Sequence, residues 1–184
     1  MKRLLDVVVS VVALLVLWPL LAVVAIAIAA ESGAPVLFRQ VRIGLHGREF
    51  AMYKFRSMVP NAAALGSWQT GANDPRVTNV GRMLRRTSID ELPQLLNVIT
   101  GDMSLVGPRP DLPAQRSIYT DDEWRTRCSV RPGITGLAQA MLRSEATEEE
   151  RKSLDLRYAR EHSLALDLQI VGWTLARITG KGSN

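Results

Sequence analysis

From Val7 to Ala30 the chain carries no charge, and only Ser10 and Pro19 interrupt a run of Val, Leu, Ile, Ala and Trp. As one helix this run reaches about 36 Å at ~1.5 Å per residue, enough to cross a bilayer. Few folds accept such a segment, because a helix that is apolar all round must sit in lipid or inside a large core. The whole chain has 184 residues, which predicts one domain with a single core. A secretory signal is the competing reading. The run is longer than the usual ~7–15-residue apolar region of a signal, and Ala29, Ala30 and Glu31 make only a loose cleavage site.

Pro19 falls in the middle of the run, where it removes one backbone donor and crowds the carbonyl of Leu15. A kink there leaves two halves of about 18 Å each. Lys2 and Arg3 precede the segment and Arg39 and Arg42 follow it, so the positive-inside tendency draws both ends to the cytoplasmic side. A re-entrant helix-break-helix satisfies both demands. A kinked but complete span is the alternative.

Charge points the same way without choosing a partner. Lys and Arg number 23 against 18 Asp and Glu, an excess that favours lipid headgroups, phosphates or nucleic acid. Nucleic acid is not expected, since the aromatics are few and not interleaved with the basic residues as stacking platforms. Cys128 is the only cysteine, so no internal disulfide forms, and the isolated His46 and His162 offer no zinc set. Both facts suit a reducing, cytoplasm-facing body.

Beyond Pro35 the periodicity shortens. Val36 to Ile43 and Glu49 to Met58, joined by Gly44 to Gly47, predict a β-hairpin. Residues 60–74, rich in Ala, Gly and Asn, predict a loop or short helix, and Leu92 to Ile99 a helix. Ser104 to Pro110 reads as a brief strand ending in a rigid turn. Helical patterns return over Asp121 to Cys128 and Thr147 to His162, the latter capped by Thr147 with Glu150 three residues on. On the last helix, Leu164 to Ile178, a wheel places Leu164, Leu168, Val171, Leu175 and Ile178 on one stripe and Leu166, Ile170 and Trp173 on the opposite one. One stripe is expected to pack on the body. The other would lie in the membrane interface, unless the helix is internal or forms a dimer contact.

The densest polar region holds Arg76, Arg82, Arg85, Arg86 and Arg109 around two adjacent carboxylates, Asp90 and Glu91. Arginine's planar fork suits bidentate phosphate binding, and a carboxylate pair can hold a divalent cation that bridges phosphate oxygens. A structural alternative is specific: Ser88 and Glu91 match a capping box, and Pro93 suits a first helical turn. The same geometry would put Asp90 at a helix start, where the dipole favours anions. With an ordinary pKa of about 3.9, Asp90 is ionised at neutral pH and available as a nucleophile.

Several motifs occur in order: Tyr53 to Met58 (YKFRSM), Asp74 to Thr78 (DPRVT), Ser88 to Gln94 (SIDELPQ), Asn97, Gly101 to Pro110 (GDMSLVGPRP) and Arg131 to Gly136 (RPGITG). With these, from Lys2 to about Ile178, the chain resembles the small monotopic phosphoglycosyl transferases of the bacterial sugar transferase family. The resemblance implies a mostly helical α/β fold: a re-entrant membrane helix over 1–31 and a small cytoplasmic catalytic body over 32–184, with a short β-hairpin and interfacial helices. It implies a sugar phosphate passing from a UDP-sugar to polyprenyl (undecaprenyl) phosphate at the cytoplasmic face of the bacterial inner membrane, the first membrane step of glycoconjugate and polysaccharide assembly, with release of UMP.

On matching positions, Asp90 is then the nucleophile that forms a phosphosugar-enzyme intermediate and the ligand of Mg²⁺, with Glu91 its dyad partner. Arg109 and Arg131 are candidate donor-phosphate contacts, and Lys54, Arg56, Arg82 and Arg85 serve phosphate or structural ion pairs. Pro108 and Pro110 set the chain direction beside the donor, where neighbouring backbone is placed to read uracil, and Asp74 supports the site or starts a turn. One departure is Trp18 before Pro19, where members commonly carry Ser, so the kink loses a polar support. The alternative from another class is an inactive membrane-bound scaffold of a glycan assembly complex, in which Asp90 and Glu91 only cap a helix.

Overall fold

The computed structural model describes residues 1–62, 64–65, 74–142 and 147–178. Much of the loop expected over 60–74, residues 66–73 included, therefore lies outside the described residues. The elements are α1 (Lys2–Ser32), β1 (Leu37–Ile43), β2 (Glu49–Phe55), α2 (Asn79–Thr87), α3 (Gln94–Thr100), β3 (Ser104–Val106), α4 (Asp121–Arg127), β4 (Gly133–Thr135), α5 (Leu137–Met141), α6 (Glu148–Glu161) and α7 (Leu164–Ile178). The fold is mostly helical α/β, as expected.

The expected break at Pro19 is not a gap in the helix, since α1 runs from Lys2 to Ser32 with Pro19 inside it. Proline deletes one donor and leaves the flanking backbone bonds to carry the turn. More informative is where α1 touches the body. Near its start, Lys2 pairs with Asp167 at 2.5 Å, Arg3 donates to the Val98 and Ile99 carbonyls at 2.6 and 3.0 Å, and the buried Asp6 accepts from Ser104 Oγ at 2.8 Å. Near its end, Val24 and Ile28 pack with Phe55 and Leu84. Between Ser10 and Val24 no residue is buried, and Leu15, Val16 and Trp18 are each more than 60% exposed. The helix thus meets the body at both ends and leaves its apolar middle uncovered.

The hairpin forms as predicted, β1 pairing antiparallel with β2 from Leu37 opposite Phe55 to Ile43 opposite Glu49. Its turn needs left-handed backbone at His46 (φ 57°) and Gly47 (φ 75°). Met52 from β2 joins Val98 and Met103 in a second cluster, and Val106, Val130, Leu137, Tyr158, Ala159 and Ile170 form a third. β3 and β4 run parallel, and Gly107 and Gly133 face each other so closely that a Cβ on Gly133 would lie 2.1 Å from the Gly107 nitrogen. The capping box of α6 is present, Thr147 and Glu150 each bonding the other's backbone N–H. On α7 it is Ile170 that is fully buried, with Leu166 against the same cluster, while Leu168, Val171 and Leu175 remain exposed. Trp173, on the same stripe of the wheel as Ile170, is 43% exposed.

Candidate active site

Ser88 and Glu91 do not form a capping box. Ser88 instead ends α2 in the left-handed conformation (φ 57°, ψ 16°), its N–H bonding back to the Arg85 and Leu84 carbonyls and its side chain capping nothing. The chain then makes a single 3-10 turn, Ile89–Glu91, before Pro93 and the seven-residue α3. Asp90 thus lies in a turn ahead of a short helix, not at its first residue. The physical reason is that Glu91 has better partners than a local amide. Its Oε1 accepts from Lys54 Nζ at 2.7 Å and from Arg109 Nη2 at 3.0 Å, contacts that β2 and the loop after β3 bring from 37 and 18 residues away.

These partners divide two adjacent carboxylates. Burial pushes Glu91 up, but Arg109 and Lys54 outweigh it and hold its carboxyl far below the usual range, at about 2. Asp90 goes the other way: its own burial and the neighbouring negative charge of Glu91 raise its pKa, against weaker pulls from Lys54 and Arg85. Lys54 is lowered, by its burial first, with the Glu91 charge opposing. Among the described residues no ion pair reaches Asp90. One carboxylate is therefore neutralised in place while its neighbour is left unpaired.

Asn97, from α3, fixes the distance between the turn and the hairpin. Its fully buried side chain accepts from Tyr53 N at 2.9 Å and donates to the Ala51 carbonyl at 2.8 Å, taking the place of a further strand along β2. Tyr53 is the neighbour of Lys54, so this amide sets where the lysine stands. Asn97 occurs in the motif series without a role, and its invisibility is expected: an isolated Asn signals nothing until its strand partner is known.

The remaining predicted residues separate. Arg85 donates Nε to Ser57 Oγ at 2.8 Å, and its charge is felt at Asp90. Arg82 lies on the exposed face of α2, bonded to Asn79 Oδ1, and Arg86 is exposed on the same helix. Arg56 is buried and turned away from the dyad, donating to the Ser32 and Gly33 carbonyls at the end of α1. Arg131 donates to the Gly101 carbonyl at 2.9 Å, at the far end of α3 from the dyad, and lines a cavity with Lys2, Arg3 and His46. Seven helical residues put roughly 10 Å between those two ends. Asp74 is stapled to Arg76 through both oxygens, which holds its carboxyl down at about 2. Pro108 and Pro110 are buried on either side of the exposed Arg109.

Mg²⁺ binds through one or two carboxylates and leaves its other positions to water and substrate phosphate. The unpaired Asp90 fits that limited role. Among the described residues no cluster of three His, Cys, Asp or Glu is placed to form a fuller cage.

A small helical body, an uncovered apolar helix meeting it at both ends, and an acidic pair beneath two cations together define a site suited to anionic substrates at a lipid boundary. The chain belongs to the bacterial sugar transferase family, which it matches over residues 1–181. It is 46% identical to an undecaprenyl-phosphate glucose phosphotransferase of Komagataeibacter xylinus over 96% of this chain and 35% of that protein. It is 44% identical to a UDP-glucose:undecaprenyl-phosphate glucose-1-phosphate transferase of Xanthomonas campestris pv. campestris, over 98% of this chain and 39% of the relative. The exopolysaccharide production protein PSS of Rhizobium leguminosarum bv. phaseoli is 42% identical, with 99% and 98% of the two chains covered. The chain thus spans between a third and two fifths of the first two relatives and nearly all of the third.

Proposed function

We propose that this chain moves a sugar phosphate from a UDP-sugar to undecaprenyl phosphate, giving undecaprenyl diphosphate sugar and UMP. The observation that carries the reading is the split dyad: Glu91 neutralised by Lys54 and Arg109, Asp90 buried and without an ion pair among the described residues. In this mechanism an Asp90 oxygen attacks the β-phosphorus of the donor, the bond from that phosphorus to the bridging oxygen breaks, and UMP leaves with the electron pair. A phosphosugar-aspartyl intermediate results. The acceptor phosphate then attacks the same phosphorus and frees Asp90. Two displacements at a held phosphorus replace one between two anions. Asp90 would hold Mg²⁺, which when bound neutralises charge on the diphosphate. Arg109, exposed beside Glu91, is placed to meet a donor phosphate, and Arg85 adds positive potential behind Asp90.

The relatives named for UDP-glucose make glucose 1-phosphate the first group to test. UMP release is measured with UDP-glucose, undecaprenyl phosphate and Mg²⁺, for the parent and Asp90→Asn. Release by the parent and loss in the variant supports the reading. Full activity in Asp90→Asn removes the nucleophile, and no release across a panel of UDP-sugars favours an inactive scaffold.

The same reading makes α1 re-entrant, with the body on the cytoplasmic face of the bacterial inner membrane. What supports it is that residues near both ends of one apolar helix contact one body, and that the exposed stripe of α7 starts beside the Lys2–Asp167 pair. A cysteine introduced at Met1 should resist an impermeant reagent added outside. External labelling would instead establish a complete span.

A further inference from the structure

Four consecutive carbonyls, from Pro108 to Asp111, are each claimed by a donor remote in the chain, two of them by neighbouring residues of β1. The Pro108 carbonyl accepts from Gly133 N at 2.9 Å, Arg109 from Arg127 Nη2, Pro110 from Arg42 Nη1 at 2.8 Å, and Asp111 from Ile43 N at 2.9 Å. Pro108 and Pro110 have fixed φ and no N–H to offer a competing bond. In this segment Arg109 alone is exposed between buried neighbours, and its guanidinium meets Glu91.

Of the four donors, Arg127 is the one that must be explained. It is 2% exposed, at the end of α4, and a buried guanidinium is tolerated only where its charge is balanced. Balance comes first from Asp111 at 2.9 Å, with the carboxyl of Asp155 on α6 further off at 3.8 Å, both groups themselves buried. Tyr119 OH completes the cluster with a 3.1 Å bond to Asp111. A buried methionine or leucine would fill this volume at lower electrostatic cost, so the ionic cluster calls for a task that packing cannot perform. The task visible here is a directed bond to the backbone of Arg109.

We infer that Arg127 is a positioning residue for this transferase site: held by Asp111 and Asp155, it fixes the main chain of Arg109 so that the Arg109 side chain stands over Glu91. It touches neither the dyad nor the substrate, and acts only through Arg109. The inference rests on the proposed role of Arg109, and its test separates the two.

The experiment is a double-mutant cycle on UMP release by the full chain in lipid nanodiscs, with Arg127→Lys, Arg109→Ala and the pair, alongside hydrogen exchange of the amides in residues 107–112. Lysine keeps the charge and loses the fork that reaches both Asp111 and the carbonyl. Expected is a loss of about 10-fold in kcat/KM for Arg127→Lys in the parent and less than about 2-fold once Arg109 is Ala, the non-additivity of residues acting as one unit. Exchange should rise in 107–112 and stay unchanged in α1 and α3.

Equal losses in both backgrounds, full activity in Arg109→Ala, or unchanged exchange in 107–112 would each overturn the inference. Should the parent release no UMP, the proposed activity fails, and the exchange result alone then decides whether Arg127 holds this segment. Should Arg127→Lys lose its cooperative melting, Arg127→Gln, whose amide still offers a donor, takes its place in the cycle. If neither folds, Arg127 is a core group and the inference falls.

Discussion

Lys54 Nζ lies 2.7 Å from Glu91 Oε1, joining the second strand of the hairpin to the turn that carries the acidic pair. Both side chains are mostly buried, at 15% and 20% exposure, so the contact is not a screened surface pair. Replacing Lys54 with Met leaves Glu91 to Arg109 alone and returns negative charge to the neighbourhood of Asp90. UMP release should fall by about 10²-fold, the scale for removing one preorganised charge from a reacting site. Unchanged turnover would make the pair purely structural.

Ser88 adopts left-handed backbone, which costs a side-chain-bearing residue about 1 kcal/mol and glycine little. Ser88→Gly should therefore melt at or above the parent temperature. Ser88→Val should lose about 1–2 kcal/mol, since a β-branched residue fits that conformation worst. Thermal melts of the two variants in one detergent check the order, and a valine variant as stable as the glycine one contradicts it.

Asn97→Leu keeps the volume of the buried side chain and abandons Tyr53 N and the Ala51 carbonyl. Two unsatisfied backbone groups should cost about 2–4 kcal/mol in denaturant unfolding. Because Tyr53 adjoins Lys54, the surviving folded fraction should also turn over more slowly. A stability loss without a loss of turnover would show that the lysine holds its place unaided.

Asp155 faces Arg127, Asp111 and Tyr119, with Arg109 and Arg151 further off. Burial first, then the Asp111 charge, pushes its carboxyl up to about 7 against the pull of Arg127, which is closer to Asp111 than to Asp155. Between about pH 4 and pH 7 the folded chain then keeps a proton that the unfolded chain, with its carboxyl near 3.9, has released. Stability from this group is complete below about pH 4 and declines as pH rises to about 7, by at most ~1.4 kcal/mol per pH unit. Asp155→Asn cannot titrate, so its unfolding free energy should lack that decline. Parallel pH profiles for parent and variant would refute the assignment.

Local patterns in the sequence were enough for the apolar helix, the hairpin with its Gly44–Gly47 turn and the Thr147–Glu150 capping box of α6, but not for which stripe of α7 packs. Each depends on residues within a turn or two of one another, where backbone period and hydrogen-bond geometry leave little choice. The ordered motifs likewise marked Asp90 and Glu91, and placed Lys54 and Arg109 among the candidates.

Tertiary structure decided which cation each acidic group would meet. Ser88 and Glu91 have the spacing of a capping box, yet Glu91 turns to Lys54 and Arg109 because two cations outcompete one amide for a carboxylate. Arg56 and Arg131 carry the same guanidinium as Arg109 and end on backbone carbonyls at Ser32, Gly33 and Gly101. Arg127 has no local pattern to announce it, and its partners lie 16 residues before it and 28 after. Residue order alone shows that a long apolar helix accompanies an arginine-rich acidic site. Only the fold settled which carboxylate is neutralised and which is left unpaired, because that depends on distances between elements remote in the chain, and charge interactions are sorted by distance and burial rather than by order along the backbone.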